Sequence, residues 1–392
     1  MGQRNDKRRR KIKIRTLISM QQKIHMVDLV GQYEARKSEF DAAISSVIHQ
    51  AAFINGPEVD AFQKELEEYL EVKHVIPCAN GTDALTIALW ALDLPPGSEI
   101  ITSDFTFIAT AEAIARVGLV PVLVDINPHT FTINTSLIEQ AITPRTKAIM
   151  PVHLFGQAAN MNHIMEIAER HNLYVIEDCA QCFGANYIVK GEQKKLGTIG
   201  TIGCTSFFPS KNLGCFGDGG AIFTNDSELA VIIKKIANHG SQKKYYHSII
   251  GVNSRLDGIQ AAILRVKLKY IDIYNASRQQ AAQWYNQRLK YINWITTPQL
   301  EPYSTHVYHQ YTIILQDVSN TELQSFLQTH GIPSMIYYPV PMHKQEALQI
   351  FNPQQCPHSE FASKHVLSLP MHTELTESQV DFICNCITLF KP

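Results

Sequence analysis

The sequence predicts an α/β protein: a mostly parallel sheet with helices on both faces, followed by a smaller α+β unit. Three observations carry this reading. Between residues 74 and 224, short β-branched runs alternate with helical segments, the pattern of βαβ units. From about residue 291 the order changes to short strands mixed with helices. Finally, 392 residues with 45% hydrophobic and 18% charged content describe an ordinary globular chain, long enough for one large and one smaller packed unit.

Residues 1–25 stand apart. Arg4, Lys7, Arg8, Arg9, Arg10, Lys11, Lys13, Arg15 and Lys23 are basic, and Asp6 is the lone acid. A secretory leader needs an apolar core after such a start, and Thr16–Met20 is too short for one. The segment reads as a disordered extension, with Met20 or Met26 as the natural start. Residues 33–51 form an amphipathic helix with Ile44, Val47 and Ile48 on one face. Gly56-Pro57 punctuates, and residues 57–71 form a second helix through Val59, Phe62, Leu66 and Tyr69.

The alternation then begins. Strands are expected at 74–78, 99–102, 120–124, 147–153 and over the run ending at Asp178. Helices are expected from Asp83 onward, up to 116, at 135–142 and at 160–171. Ile202, Cys204, Phe207 and Phe208 read as a further buried strand, stopped by Pro209. A helix at 226–238, a polar and aromatic loop at 241–250 and long helices over 257–290 follow. The last part should hold strands at 307–315 and 334–338 and helices at 320–330 and 376–388. The division is a basic extension (1–25), a large domain (26–270) and a small C-terminal domain (271–392).

Composition excludes several classes. A net charge of −1 offers no overall attraction to nucleic acid or to a membrane. No apolar stretch approaches membrane-spanning length. The eight cysteines (78, 179, 182, 204, 215, 356, 384 and 386) lie mostly within apolar runs, which suits a reducing, cytoplasmic setting. Cys179-x-x-Cys182 invites a zinc reading, but Cys384-x-Cys386 is too tight to complete a standard knuckle, so no metal is expected. His153 reads equally as a group facing the site or as a satisfied core residue. There is no G-x-G-x-x-G or Walker-type lysine motif, and the glycines at 214–220 have the wrong spacing.

Three stretches carry chemistry. In the run from Thr205 to Thr224, Lys211 lies between an apolar strand and a turn rich in glycine (Gly214, Gly217, Gly219, Gly220). A desolvated lysine at a strand end loses its proton readily and attacks carbonyls, which is Schiff-base chemistry. Upstream, Tyr174-Val-Ile-Glu-Asp-Cys-Ala-Gln181 ends a strand in a carboxylate, with Gln181 three residues on. Strand ends carry ligands in α/β folds, and pyridoxal phosphate needs a carboxylate against its pyridine nitrogen. Cys78-Ala-Asn-Gly-Thr-Asp83 is a strand followed by capping residues, and free amides at a helix start form a phosphate cradle. Taken singly, these are a surface lysine, a helix cap after a strand and an ordinary N-terminus. In this order they make one pattern.

The wording "NGTDAL … EDCAQ … SFFPSKNLGCFGDGGAIFTND … GVNSRLD" resembles the DegT-type nucleotide-sugar aminotransferases, which are fold-type-I pyridoxal-phosphate enzymes. The resemblance runs from about residue 26 to the C-terminus. It implies an aspartate-aminotransferase-like fold with a seven-stranded sheet in the large domain, a homodimer, and pyridoxal 5'-phosphate bound to Lys211. It implies that Asp178 holds the ring nitrogen, Gln181 lies near the phenolic oxygen, and the aromatic Phe107 stacks on the ring. Gly81, Thr82, Ser206 and, across the dimer interface, Asn253 would hold the phosphate, with Ser210 a weaker candidate. Lys211 would move the proton during transfer of an amino group from L-glutamate to a keto nucleotide sugar.

Within that family the sequence looks closest to enzymes acting on UDP-2-acetamido-2-deoxy-3-oxo-D-glucuronate for bacterial surface polysaccharide (lipopolysaccharide O-antigen). Arg255 matches a position that meets the uronate carboxylate. Tyr337-Tyr338 stands where those relatives carry a His-Tyr pair, and a phenol carries no positive charge. An alternative is therefore a dTDP- or UDP-linked 3-keto or 4-keto-6-deoxy sugar. Two further readings fit less well. A sugar 3-dehydratase would replace Lys211 with histidine, and a DNA-binding regulator would leave Lys211 and Asp178 without a purpose.

Overall fold

The computed structural model describes residues 23–391. The basic extension expected over 1–25 lies outside them as far as residue 22. The first helices are α1 (Leu29–Glu34), α2 (Lys37–Gln50) and α3 (Pro57–Leu70). The helix expected over 33–51 is thus broken near Ala35. Then β1 (His74–Cys78), α4 (Gly81–Ala91), β2 (Glu99–Ser103), α5 (Ala109–Arg116), β3 (Val120–Val124), α6 (Ile138–Ala141), β4 (Thr146–Met150), α7 (Met161–His171) and β5 (Tyr174–Asp178) alternate. A hairpin of β6 (Asn186–Val189) and β7 (Glu192–Lys195) interrupts them. The sequence reading missed it because Glu192–Lys195 is polar and exposed, with no apolar alternation to find.

Next come β8 (Ile202–Ser206), β9 (Gly220–Thr224), α8 (Ser227–Ala237), α9 (Gly258–Leu268) and α10 (Ile271–Leu289). The stretch at 241–250 is not a plain loop: β10 (Ser241–Lys243) and β11 (Tyr246–His247) make a short exposed hairpin. The C-terminal part contains β12 (Ile295–Thr296), β13 (Tyr311–Leu315), α11 (Asn320–Thr329), α12 (Pro357–His365), β14 (Val366–Leu369) and α13 (Glu377–Leu389). The strand expected at 334–338 is absent. Met335 alone forms a bridge, to Ser368 on the open edge of β14.

The large sheet has seven strands in the order β1-β9-β8-β5-β4-β2-β3. Every pairing from β8 to β3 is parallel, and β9 runs against both its neighbours, so β1 shares the common direction. Both faces are covered, which is why the strands read as continuous apolar runs. On one face Ile76, Ile100, Met150, Ile176, Ile202 and Ile222 pack against α4, α5 and α8. The opposite face meets α7 through Ile149 and Val175, and meets α3 and α9 through Val75, Phe207 and Phe223. Arg265 on α9 ties that layer together by pairing with Glu58 and Glu65 on α3.

β12, β13 and β14 form a separate antiparallel sheet whose core includes Tyr285, Tyr311, Leu323, Leu367 and Ile383. The Tyr285 and Tyr311 rings stack with centroids 4.6 Å apart. A further cluster joins the two sheets. Phe105, Phe131, Val152 and Phe155 pack there against Ile314 and Val366, with Tyr337 and Tyr338 partly buried at its margin. That cluster brings the Tyr337-Tyr338 segment to the edge of the large sheet.

Candidate active site

Because β1, β5 and β8 run the same way, their C-terminal ends reach one edge of the sheet. β9, running the other way, starts at that edge with Gly220, paired to both Cys78 and Ser206. The first turn of α4 is packed directly on this corner. A Cβ on Gly220 would lie 2.5 Å from the Asn80 carbonyl carbon and oxygen. A Cβ on Gly81 would lie 2.6 Å from the Ser206 Cβ. The backbone can close up only because both positions are glycine.

The cradle expected at α4 is built. Asn80 caps the helix by accepting from the Asp83 amide at 2.8 Å, and Ser254 Oγ accepts from the Ala79 amide at 3.1 Å. The amides of Gly81 and Thr82 then have no partner among the described residues. Two free N–H groups at a helix N-terminus suit a phosphate. Ser206, half-buried, stands against Gly81, and its Oγ accepts from the Phe208 amide at 3.2 Å. Asn253 is exposed beside this corner, and its backbone bridges to Asn238. Ser210 is half-buried in the turn before Lys211.

Asp178 is buried at the end of β5, on the face that carries α5. Its Oδ2 accepts from Thr110 Oγ1 at 2.8 Å and its Oδ1 from the Ala180 amide at 3.2 Å. No cation lies within ion-pair distance among the described residues. Burial pushes its carboxyl above the usual range, with the two hydrogen bonds, Lys211 and His153 working the other way. A buried carboxylate without a cation fits a protonated pyridine nitrogen, which would supply the missing charge. Thr110 was not foreseen. A threonine inside a helical apolar run gives no signal that it will meet a carboxylate 68 residues away in sequence.

Lys211 is half-buried in the turn after β8, its amide bonded to the Phe208 carbonyl at 2.8 Å. Burial pulls its amine down to about 8, and the charge of Asp178 is the main influence holding it up. An amine at that point is about one-tenth neutral at pH 7, a far larger nucleophilic fraction than an ordinary lysine offers. Gln181 is buried between two neighbours. Its Oε1 accepts from the Phe155 amide at 2.7 Å, and its Nε2 donates to the Tyr338 hydroxyl at 3.0 Å. Phe107 is exposed, and its ring centroid lies 6.3 Å from that of Tyr338. Tyr337 is half-buried, and burial pushes its phenol upward, so the group stays neutral. Arg255 is half-buried and forms no ion pair among the described residues.

The His153 amide bonds the Asp178 carbonyl at 3.1 Å, but its ring turns to the opposite face of the sheet. Its Nε2 meets Glu177 Oε2 at 3.0 Å and its Nδ1 meets the Ala159 amide at 3.1 Å. Glu177 in turn accepts from the amides of Gly197, Ile199 and Gly200, which pins the turn before β8. Glu177 and Asp178 are neighbours in sequence but face opposite sides of the sheet, as strand alternation requires. Of the two readings open for His153, the structure shows the satisfied core residue. His153 does come within 4.8 Å of the Cys179 and Cys182 thiols, a proximity the sequence did not reveal. All eight cysteines are free and buried.

The cradle glycines and the cation-free carboxylate therefore fit pyridoxal phosphate, and the desolvated lysine fits its attachment. Comparison with known proteins agrees. The model of the DegT/DnrJ/EryC1/StrS aminotransferase family matches residues 34–388. The chain is 45% identical over 365 residues to the UDP-2-acetamido-2-deoxy-3-oxo-D-glucuronate aminotransferase of Pseudomonas aeruginosa, covering 93% of this chain and 99% of the relative. It is 44% identical over 364 residues to the UDP-N-acetyl-3-dehydro-alpha-D-glucosamine 3-aminotransferase of Acidithiobacillus ferrooxidans, covering 93% and 97%. The crystal structure of S. venezuelae DesV in complex with a ketimine intermediate superposes with a TM-score of 0.89 at 38% identity, covering 94% of this chain and 98% of that one. The fold is thus that of the fold-type-I pyridoxal-phosphate transferases. The chain belongs to the DegT/DnrJ/EryC1/StrS aminotransferase family and is a pyridoxal-phosphate-dependent aminotransferase.

Proposed function

We propose that this enzyme moves the amino group of L-glutamate to a keto nucleotide sugar, at C3 of UDP-2-acetamido-2-deoxy-3-oxo-D-glucuronate. The observation that carries the reaction class is the meeting of three unlike features at one sheet edge. These are the partner-free amides of Gly81 and Thr82, the cation-free Asp178, and the amine of Lys211 drawn down to about 8. Both relatives named above support a UDP-linked 3-oxo amino sugar, and the first of them supports the glucuronate. The product suits bacterial surface polysaccharide such as O-antigen, made in the cytoplasm.

When bound, the cofactor supplies an electron sink for the carbanion formed at the amino-bearing carbon. The residues of the chain do the rest. Gly81, Thr82, Ser206 and Asn253 hold the phosphate. Asp178, fixed by Thr110 and the Ala180 amide, keeps the ring nitrogen protonated. Gln181 offers its remaining amide hydrogen to the phenolic oxygen. Phe107 covers the ring. Lys211 would hold the cofactor at rest, and its free, neutral amine would take the proton from the substrate carbon and return it at the next position. Arg255, with Tyr337 and Tyr338, lines the sugar side.

The active unit is a homodimer with the site shared across the interface. Phe208, just before Lys211, is 51% exposed, Phe107, beside Tyr338, is 56% exposed, and Ile250 in the 241–251 segment is 80% exposed, a set of apolar side chains that a second subunit would cover. No described helix is long and apolar enough to cross a membrane. Residues 26–270 form the cofactor domain and 271–392 the small one.

A second reading rests on Tyr337. A neutral phenol donates one hydrogen bond but brings no positive charge to a carboxylate, which favours an uncharged 3-keto or 4-keto-6-deoxy sugar. One experiment separates the two. L-Glutamate should bleach the visible absorbance of the lysine-bound cofactor, and each keto sugar in a panel is then tested for restoring it. Restoration by the UDP-3-oxo-glucuronate alone supports the first reading; restoration by a neutral keto sugar alone supports the second. Absence of any cofactor absorbance in the loaded protein overturns both.

A further inference from the structure

The loop that carries Tyr337 and Tyr338 ends in a cluster of buried charges that the chemistry described so far does not use. Pro339 and Pro341 stiffen the loop, each fixing its own φ. Its first anchor is Tyr338, whose ring centroid lies 5.9 Å from that of Phe105 and whose hydroxyl meets Gln181. Its second anchor is His343. Asp104, buried just past the end of β2, grips this end of the loop in three places. The Asp104 carbonyl accepts from the Met342 amide at 2.9 Å. Its Oδ1 accepts from the His343 amide at 2.7 Å, and its Oδ2 meets His343 Nδ1 at 2.7 Å.

The far side of the imidazole is held as well. His343 Nε2 meets Glu360 Oε1 on α12 at 3.2 Å, and Glu360 also pairs with Lys344. α12 is itself moored to the large sheet. Asp125, just past the end of β3, accepts from the amides of His358 and Ser359 at 2.8 and 2.9 Å. Two neighbouring strand ends therefore hold His343, β2 directly and β3 through α12. The stretch that Asp104 opens continues through Phe105 and Phe107 to Thr110, the partner of Asp178. Met342 packs on Ala111 at the end of that stretch. His343 thus fastens the sugar-side loop to the segment that carries Phe107 and Thr110. Without the imidazole, the Asp104 and Glu360 carboxylates would lose their shared partner. A buried carboxylate left unpaired is costly, so the end of the loop would move.

We propose that His343 is a positioning residue for the keto sugar: clamped between Asp104 and Glu360, it fixes where the Tyr337-Tyr338 loop stands over the site. It acts through the loop and not on the reacting atoms. The glutamate half of the reaction, centred on Lys211 in the turn after β8, depends on it far less. This rests on the reading that Tyr337 and Tyr338 line the sugar side.

The test follows the two half-reactions separately, in full-length holoenzyme, by stopped-flow absorbance. L-Glutamate bleaches the cofactor band. UDP-2-acetamido-2-deoxy-3-oxo-D-glucuronate brings it back, or the neutral keto sugar if that is the one wild type accepts. In His343→Phe the sugar concentration for half-maximal recovery should rise about tenfold, the scale of one charge-assisted hydrogen bond. Bleaching by glutamate should change far less. His343→Asn, whose amide nitrogen can take the place of Nδ1 against Asp104, should regain most of the loss. Equal shifts in both half-reactions, or no shift in either, overturn the proposal. A lowered unfolding temperature with sugar recovery intact also overturns it, since the contact would then serve stability alone. If His343→Phe does not fold, Glu360→Ala at the half-buried outer position decides. A several-fold rise for the sugar alone supports the proposal, and no rise overturns it. Tyr338→Phe, run alongside, separates the two levels. If neither it nor the His343 variant affects the sugar step, the sugar-side reading fails together with the proposal. If only Tyr338→Phe does, the role of His343 alone fails.

Discussion

Gln181 Nε2 donates a hydrogen bond to the Tyr338 hydroxyl at 3.0 Å, joining the end of β5 to a loop 157 residues later in the chain. The same glutamine accepts from the Phe155 amide, so one side chain connects the cofactor edge, the turn after β4 and the sugar-side loop. Tyr338→Phe should leave one buried amide hydrogen unpartnered. The expected cost is about 1 kcal/mol of stability, seen in thermal unfolding, together with a several-fold rise in KM for the keto sugar and a smaller change for glutamate. Equal effects on both substrates would count against a sugar-side role for this contact.

Lys211→Ala should remove the attachment point and the proton carrier at once. Activity is expected to fall by about 10³-fold or more, and the variant should no longer be labelled by cofactor and borohydride. Its unfolding temperature should not drop, because the amine is held in a desolvated position that an apolar side chain occupies at less cost.

The pH dependence of cofactor uptake follows from the same amine. Its midpoint is drawn down from the ordinary lysine value to about 8. Only the neutral amine attacks the aldehyde. The uptake rate of cofactor-free protein should therefore rise with pH and level off above about 8. Stopped-flow absorbance would show this, and a rise continuing past pH 10 would mean an unperturbed surface lysine.

Asp178→Asn should keep the fold and lose about 10²- to 10⁴-fold in rate, the range for losing a well-placed proton-handling group. The folded-state titration of Asp178 lies above its ordinary value. Ionisation of this group therefore destabilises cofactor-free protein at pH 7, and the penalty fades as pH falls through the folded value toward 4. Cofactor-free Asp178→Asn should be at least as stable as wild type at pH 7, with that advantage shrinking near pH 4. Chemical unfolding at the two pH values measures it.

Gly81→Ala places a methyl group 2.6 Å from the Ser206 Cβ, between two backbone segments with no slack. Overpacking of this kind costs about 1–3 kcal/mol. Cofactor affinity should also fall, since the strain opens the amide cradle, and equilibrium titration with pyridoxal phosphate would report it.

Much of this was legible in the residues. Buried parallel strands show as apolar runs, and helix caps as Asn80 or Asp226, so the β–α order from β1 to β5, and then β8 and α8, could be read with small shifts at the ends. Lys211, Asp178 and the Gly81-Thr82 turn could be named because strand-end chemistry leaves its mark on short, local words. Elements without such a mark were missed: the polar β6–β7 hairpin, β9, whose opening glycine was read as part of a turn, and β14, whose partner is set by packing against β13.

The sequence by itself determined the fold class, the reactive lysine, the carboxylate and the phosphate cradle, because each depends on residue type within a few positions. Only the tertiary structure decided what surrounds them. Strand alternation turned Glu177 away to His153 while Asp178 faced Thr110. Chain reversal in β9 set Gly220 against Asn80, and the cluster between the two sheets brought Tyr338 to Gln181. Burial moved Lys211 to about 8. These are properties of distance and desolvation between residues far apart in the chain, and no local pattern encodes them.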